Sequence, residues 1–204
     1  MGVLDLLVLA AAAWTLAAFA LLWLRMKQHG RRALYAAPAG SPDAGVRYAF
    51  TAGLHPRAKE SVREHPLSYA AGMAYHAGTF TAFGLLGAAL LGLTLPASLL
   101  TAGRLVLVLG LVGGVGLLLK RILHRELRGL SNPDDYLSNA LVTAFLALGL
   151  TPLGDAWLLS GAALLIYMPM GKIRHCVFFF STRAAFGAFF GRRGVFPVDA
   201  SHGR

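Results

Sequence analysis

Acidic residues are scarce in this chain: nine Asp and Glu stand against nineteen Lys and Arg in 204 residues. Cysteine is scarcer still, with Cys176 alone. One thiol excludes an intrachain disulfide, and it excludes a zinc or iron–sulfur centre built from cysteines of this chain. Any iron–sulfur cluster would belong to another subunit. Strand-type alternation of apolar and polar residues is missing too, and a membrane barrel would need it in every segment. Charge of either sign makes up only 14% of the chain, against 56% hydrophobic residues. With a mean hydropathy of +0.60, this composition lies far from that of soluble domains.

What is present is apolar helix. Five stretches are long enough to cross about 30 Å of hydrocarbon, allowing for tilt and for a short third span. They run near Val3–Leu24, Leu67–Leu95, Leu105–Leu123, Tyr136–Leu150 and Ala156–Phe180. The expected fold is therefore an all-α membrane protein, a five-transmembrane-helix bundle. The first run has no basic leader and continues for about 22 residues before Arg25, so it reads as a retained helix rather than a signal peptide.

Basic residues set the expected orientation. Eighteen of the nineteen Lys and Arg fall in the segment 25–64, in the loop between the third and fourth spans, or at the end of the fifth span and beyond; only Arg104 lies on the other side. By the positive-inside rule the N-terminus is outside and the C-terminus cytoplasmic. The net charge of +10 then calls for no nucleic acid. Topology, anionic lipid and an acidic partner account for it.

No internal repeat is evident. Residues 1–180 read as one membrane domain with a cytoplasmic loop, 25–64, inserted in it. Residues 181–204 read as a cytoplasmic interfacial tail, in which phenylalanines alternate with arginines from Phe178 to Arg193. The loop 25–64 has a turn-rich centre, APAGSPDAG, and a second basic loop reads KRILHRELRGLSNPDD. The outside connections are short and nearly uncharged, so partner docking is expected on the cytoplasmic face.

The chemistry-bearing residues are histidines. His65 and His76 are eleven residues apart in REHPLSYAAGMAYHAGTF, about three helical turns, which puts both on one face roughly 16 Å apart along the axis. An imidazole inside a bilayer needs a partner and marks a functional candidate. His175 ends the fifth run, in YMPMGKIRHCVFFF. Since the second and fifth helices run in opposite directions, His65 and His175 are expected at one depth near the cytoplasmic edge. Two imidazoles on facing helices form the axial ligand pair of a b-type haem. Lys172, Arg174 and Arg63 stand nearby, and either pair with anionic propionates or simply snorkel at helix ends. Gly72 shares the face of His65 and His76; it permits either close helix approach or a flat porphyrin. Glycines in GLVGGVG, 110–116, read as close helix packing.

His76 lacks an obvious partner at its depth. No histidine occurs in WLLSGAALLIYM, 157–168, and Met168 is the other plausible iron ligand. A hydrogen bond within the bundle or a place in a quinone pocket is the alternative for His76. His29, His55 and His202 fall in hydrophilic segments, and His124 is the competing ligand candidate. Trp14, Trp23 and Trp157 call for no special role. Discontinuous helices would favour a transporter, and the pattern shows none clearly.

In HPLSYAAGMAYHAGTF, the LLLKR run at 117–121 and PMGKIRHC, the chain resembles the gamma (cytochrome b) subunit of respiratory nitrate reductase and its superfamily, which includes heterodisulfide-reductase-like membrane subunits. The likeness covers the second to fifth helices. It implies two haems held between the second and fifth helices, quinol oxidation in the membrane, and electron transfer to a cytoplasmic iron–sulfur subunit. Carried over by position, His65 and His175 hold the cytoplasm-proximal haem. The distal haem would use His76 and the position of Trp157, where a histidine is missing, so one haem b is expected rather than two. The resulting expectation is a membrane cytochrome b subunit in the cytoplasmic membrane of a prokaryote, exchanging electrons with quinone or menaquinone as the quinol-oxidising part of an oxidoreductase. The alternative is a haem-free membrane anchor or small transporter subunit.

Overall fold

The computed structural model describes residues 2–29, 36–56, 59–152 and 154–197. Of the basic residues counted above Arg31, Arg32, Arg57 and Arg204 lie outside the described residues, as does His202. Among the described residues all regular structure is helical. The helices are α1 (Val3–Gln28), α2 (Pro42–Phe50), α3 (Glu60–Glu64), α4 (Pro66–Leu90), α5 (Ala97–Leu123), α6 (Arg125–Gly129), α7 (Pro133–Gly149), α8 (Gly154–Tyr167) and α9 (His175–Arg192).

Two of them, α1 and α5, are long and apolar enough to cross a membrane alone. A third crossing results if α8 and α9, which meet at a break, are counted as one span. α4 has 25 residues but carries Ser68, Tyr69, Tyr75, His76, Thr79 and Thr81, which dilute its apolar character. α7 and α8 have 17 and 14 residues, about 25 and 21 Å at 1.5 Å per residue, short of the hydrocarbon thickness unless the bilayer thins around them.

Local chemistry moves several expected boundaries. The second run stops at Leu90 rather than Leu95 because Gly92 adopts φ +64°, where Leu93 N–H reaches Ala88 O at 2.9 Å and Gly92 N–H reaches Ala89 O at 3.0 Å. That is a Schellman closure, and the left-handed position suits glycine. The third run starts at Ala97 rather than Leu105, so Arg104 lies within α5 with an exposed side chain that a long stem carries outward. In the basic loop, NPDD forms a capping box: Asn132 accepts from Asp135 N–H while the Asp135 carboxylate accepts from Asn132 N–H. Helix α7 therefore begins at Pro133.

The fifth run departs most from expectation. Ala156–Phe180 is not one helix: α8 ends at Tyr167, a 3₁₀ turn covers Lys172–Arg174, and His175 opens α9. Pro169 has no N–H and disfavours a helical conformation at Met168. His175 is thus the first residue of a helix, not the last, and residues 181–192 continue that helix.

The chain divides into two compact units. One contains residues 1–21 and 67–174, the other residues 22–66 and 175–204. In the first, Leu86, Leu107, Phe145, Leu146 and Leu164 form a buried core with Val8, Ala11, Ala82, Val142 and Ala162. Helices α4 and α5 approach closely there, since a Cβ on Gly78 would lie 2.9 Å from Gly110 Cα and one on Gly113 would lie 2.5 Å from Ala71 O. The close-packing expectation for GLVGGVG matches this crossing. Internal polar groups are satisfied across helices: Tyr75 OH donates to Asn139 O at 2.8 Å, and Asn139 Nδ2 donates to Gly114 O at 3.3 Å.

In the second unit α2 packs on α9 through glycine. A Cβ on Gly187 would lie 2.7 Å from Gly45 O, and one on Gly191 would lie 2.5 Å from Ser41 O. Arg183 then reaches across to α2, donating from Nε to Ala49 O at 2.8 Å and from Nη2 to Gly53 O at 2.6 Å. These carbonyls lie at the end of α2 and just beyond it, where a helix leaves acceptors unpaired.

Candidate functional site

The break after α8 carries the most closely determined chemistry in the chain. The last four carbonyls of a helix lack intrahelical donors, and here each is accounted for. Leu164 O accepts from Met168 N–H at 2.9 Å; Tyr167 O accepts from Met170 and Gly171 N–H at 2.9 and 3.2 Å. In a continuous helix residue 169 would donate to Leu165 O, but Pro169 cannot. Thr15 Oγ1 of α1 lies 2.5 Å from Leu165 O instead, sharing its one proton with Ala11 O at 2.8 Å. Trp14 Nε1 donates to Ile166 O at 3.2 Å. Trp14, expected to have no special role, is therefore half of a pair that closes α8.

The segment after the break is clasped to the start of α7. The Asp134 carboxylate accepts from Tyr167 OH, from Ser138 Oγ at 3.0 Å and from Lys172 N–H at 2.7 Å. Asp135 pairs with Lys172 Nζ at 2.6 Å and with Arg121 at 3.5 Å. The Lys172 ammonium at its Oδ1 holds the Asp135 carboxyl below the usual carboxylate range, with the Asn132 backbone N–H adding to the effect. Gly171 sits inside this clasp, where a Cβ would lie 2.7 Å from Asp134 Oδ1. Sequence reading treated NPDD as part of a basic loop; the signal that would have found the clasp is the N-x-x-D capping pattern facing a lysine just past a helix-breaking proline.

Lys172, expected either to pair with a propionate or to snorkel at a helix end, is thus engaged by Asp135. Arg174 and Arg63 are exposed. His65 immediately precedes α4, His175 opens α9, both side chains are exposed, and both fall in the second unit. His76 is an exposed residue of the first unit, and its Nδ1 lies 2.7 Å from Gly72 O. A carbonyl only accepts, so in a neutral ring Nδ1 carries the proton and the lone pair is on Nε2. Backbone-bonded Nδ1–H is how proteins commonly orient a ligating imidazole. Gly72 gives this ring an unobstructed surface, since a Cβ there would meet no atom within 4 Å. Of the two roles weighed for Gly72, close approach of another helix has no counterpart in the described contacts.

Met168 lies in the turn after α8. Trp157 stacks on Phe145 with ring centroids 5.9 Å apart, and its buried Nε1 has no hydrogen-bond partner among the described residues. His124 caps α5 and is exposed; His29 Nδ1 lies 2.7 Å from Arg25 O. Among the described residues no group of three or more His, Cys, Asp or Glu gathers to hold a metal ion. A bis-imidazole iron site needs only two donors, fewer than such a group, and imidazole and guanidinium are the donor and cation types that a haem would call for. No family model, curated protein or solved structure matches this chain.

Proposed function

We propose that this protein is a membrane cytochrome b subunit of a respiratory electron-transfer complex, with five crossings, the N-terminus outside and the C-terminus cytoplasmic. His65 and His175 would be the axial ligands of one haem b. The observation that carries the proposal is that these two exposed imidazoles, 110 positions apart in sequence, belong to one compact unit and each stands at the opening of a helix. Support also comes from the one-sided distribution of basic residues and from the resemblance in HPLSYAAGMAYHAGTF and PMGKIRHC.

Bound there, a haem would supply one-electron transfer between quinone and a cytoplasmic iron–sulfur partner. The chain's own part is to present two imidazoles and to set charge around them. Arg63 and Arg174 offset propionate charge, whereas Lys172 and Arg121 balance Asp135 and hold the 168–174 segment against α7. The clasp and the α8 carbonyl closure together fix the residues that lead into His175.

The haem-free reading has its own support in that clasp, because Lys172 is spent on an internal ion pair. Within that reading the transporter version is the weaker one. The break at 168–171 does make a discontinuous helix, which the sequence pattern had not shown. The carbonyls that end α8 each have a donor from Thr15, Trp14 or the turn itself, which disfavours a cation site at that half-helix end.

Absorbance of the purified protein tests the proposal. A low-spin reduced α-band is expected, and His65→Ala and His175→Ala should each abolish it. A full band in both variants rejects the ligand assignment, and a colourless wild-type protein purified under haem-replete conditions rejects the cytochrome in favour of the anchor.

A further inference from the structure

Helix α9 has two different faces. Toward α2 it shows Gly187 and Gly191, both buried. On its other side His175, Phe179, Thr182, Phe186 and Phe189 are all exposed, with Arg193 one residue past the helix end. At 100° per residue these six positions fall on a single stripe. The three phenylalanines are 40–44% exposed, a large apolar stripe for a surface to leave uncovered. The Arg193 guanidinium stands 3.4 Å from the centre of the Phe189 ring, a cation held beside the apolar stripe.

The partner helix is built the opposite way. Gly45 and Ala49 of α2 are buried against α9, while Asp43 and Arg47, half a turn round, are exposed. The pair is therefore a two-helix layer, polar on the α2 side and aromatic on the α9 side. Charge in this unit is also one-sided: in the full sequence of residues 22–66 and 175–204, twelve Lys and Arg face four Asp and Glu, and α9 itself has no acid.

We propose that the α2–α9 layer lies on an anionic membrane surface, with the Phe179–Phe186–Phe189 face of α9 inserted among acyl chains, Arg193 at the headgroups and α2 facing water. An aromatic face edged by cations is the pattern that such surfaces bind. Only seven residues separate α8 from α9, a reach of at most about 25 Å, so a chain anchored by apolar helices keeps α9 near the leaflet. Of the two proposed haem ligands His175 shares this stripe, but the insertion rests on the aromatic face and the one-sided charge and holds with or without haem.

Spin-label accessibility tests it in the full-length protein. Cys176→Ser removes the one native thiol, after which Phe186→Cys and Arg47→Cys are labelled singly and reconstituted into phosphatidylcholine–phosphatidylglycerol vesicles. Oxygen should dominate collisional relaxation at 186, and a water-soluble nickel complex should dominate at 47. Phe179→Cys on the same stripe gives an independent reading should Phe186→Cys fail to fold. Nickel dominance at 186 and 179 would overturn the insertion. Protection of both positions from both reagents would also overturn it, because it would mean that a second copy or another part of the chain covers the face. Vesicles of phosphatidylcholine alone should lower the oxygen preference at 186; an unchanged preference there would overturn the anionic part of the assignment.

Discussion

Replacing Thr15 by valine isolates the closure of α8. The shapes are similar, so packing around residue 15 is preserved and only the hydroxyl is lost. Thr15 is 4% exposed, and Leu165 O then has no donor, because Pro169 occupies the position that would have supplied one. An orphaned buried acceptor costs about 1–3 kcal/mol in a water-soluble core. Hydrogen bonds between membrane helices average about 0.6 kcal/mol and reach about 1.7, because the unfolded chain in lipid also finds partners. The absence of a backbone alternative puts Thr15→Val toward the upper part of that membrane range, at about 1–1.5 kcal/mol. Trp14→Phe should cost less, under about 1 kcal/mol, since Trp14 is half exposed and its bond is longer. Unfolding in mixed micelles with increasing dodecyl sulfate, followed by helical circular dichroism, measures both. A double-mutant cycle gives the sharper reading: Pro169→Ala restores an N–H at 169, so it should recover part of the Thr15→Val loss, with a coupling of about 0.5–1 kcal/mol. Stability of Thr15→Val within about 0.3 kcal/mol of wild type, with no coupling to position 169, would refute the reasoning.

Gly45→Ala should pull α2 away from α9, because its Cβ would lie 2.5 Å from Gly191 Cα; a loss of about 1–3 kcal/mol and faster proteolysis of residues 36–56 are expected, and an unchanged digestion pattern would argue against the crossing. Gly72→Ala is the counterpart, with nothing for the new methyl to meet. Its stability without cofactor should be equal to wild type or higher by up to about 1 kcal/mol, as helix propensity dictates, and a lowered haem content would mark the 72–76 face as cofactor-contacting. Asp135 has a folded pKa below its unfolded value, so its contribution is fully present above the unfolded value of about 4 and disappears as pH falls through the folded one. The wild-type stability curve should therefore drop below about pH 4 more steeply than that of Asp135→Asn; parallel curves would contradict the ion pair with Lys172.

Composition alone points to the helical membrane character, because a run such as LVLAAAAWTLAAFALLWL is long and apolar enough to cross a bilayer as a helix. Boundaries were legible only where one residue decides them. Pro66 opens α4 as expected from its missing N–H, whereas Leu95 gave way to Gly92, whose left-handed conformation depends on two carbonyls that a hydropathy window does not weigh. Arg104 pushed the expected start of the third run inward by eight residues, since a window counts the charge but not the long stem that carries it outward.

The break at Pro169 had its evidence in plain view, in YMPMGK, yet an apolar run of 25 residues outweighed one proline in the reading. What makes the break stable is not local at all. It requires a hydroxyl and an indole from α1, about 150 positions earlier, to take over the carbonyls that proline abandons. The clasp follows the same logic, with two aspartates that look like loop acids forming both a helix cap and the counter-charge for a lysine 37 positions away. The histidines drew attention because imidazole is rare and costly inside apolar helix, and the structure leaves His65, His76 and His175 exposed. The groups that close α8 and clasp the segment before His175 (Thr15, Trp14, Asp134 and Asp135) drew none, because they are ordinary residues whose role exists only once distant segments meet. If His175 does bind iron, those four residues determine where its helix begins, and substitutions at Thr15 or Asp134 should disturb the haem spectrum without touching either ligand.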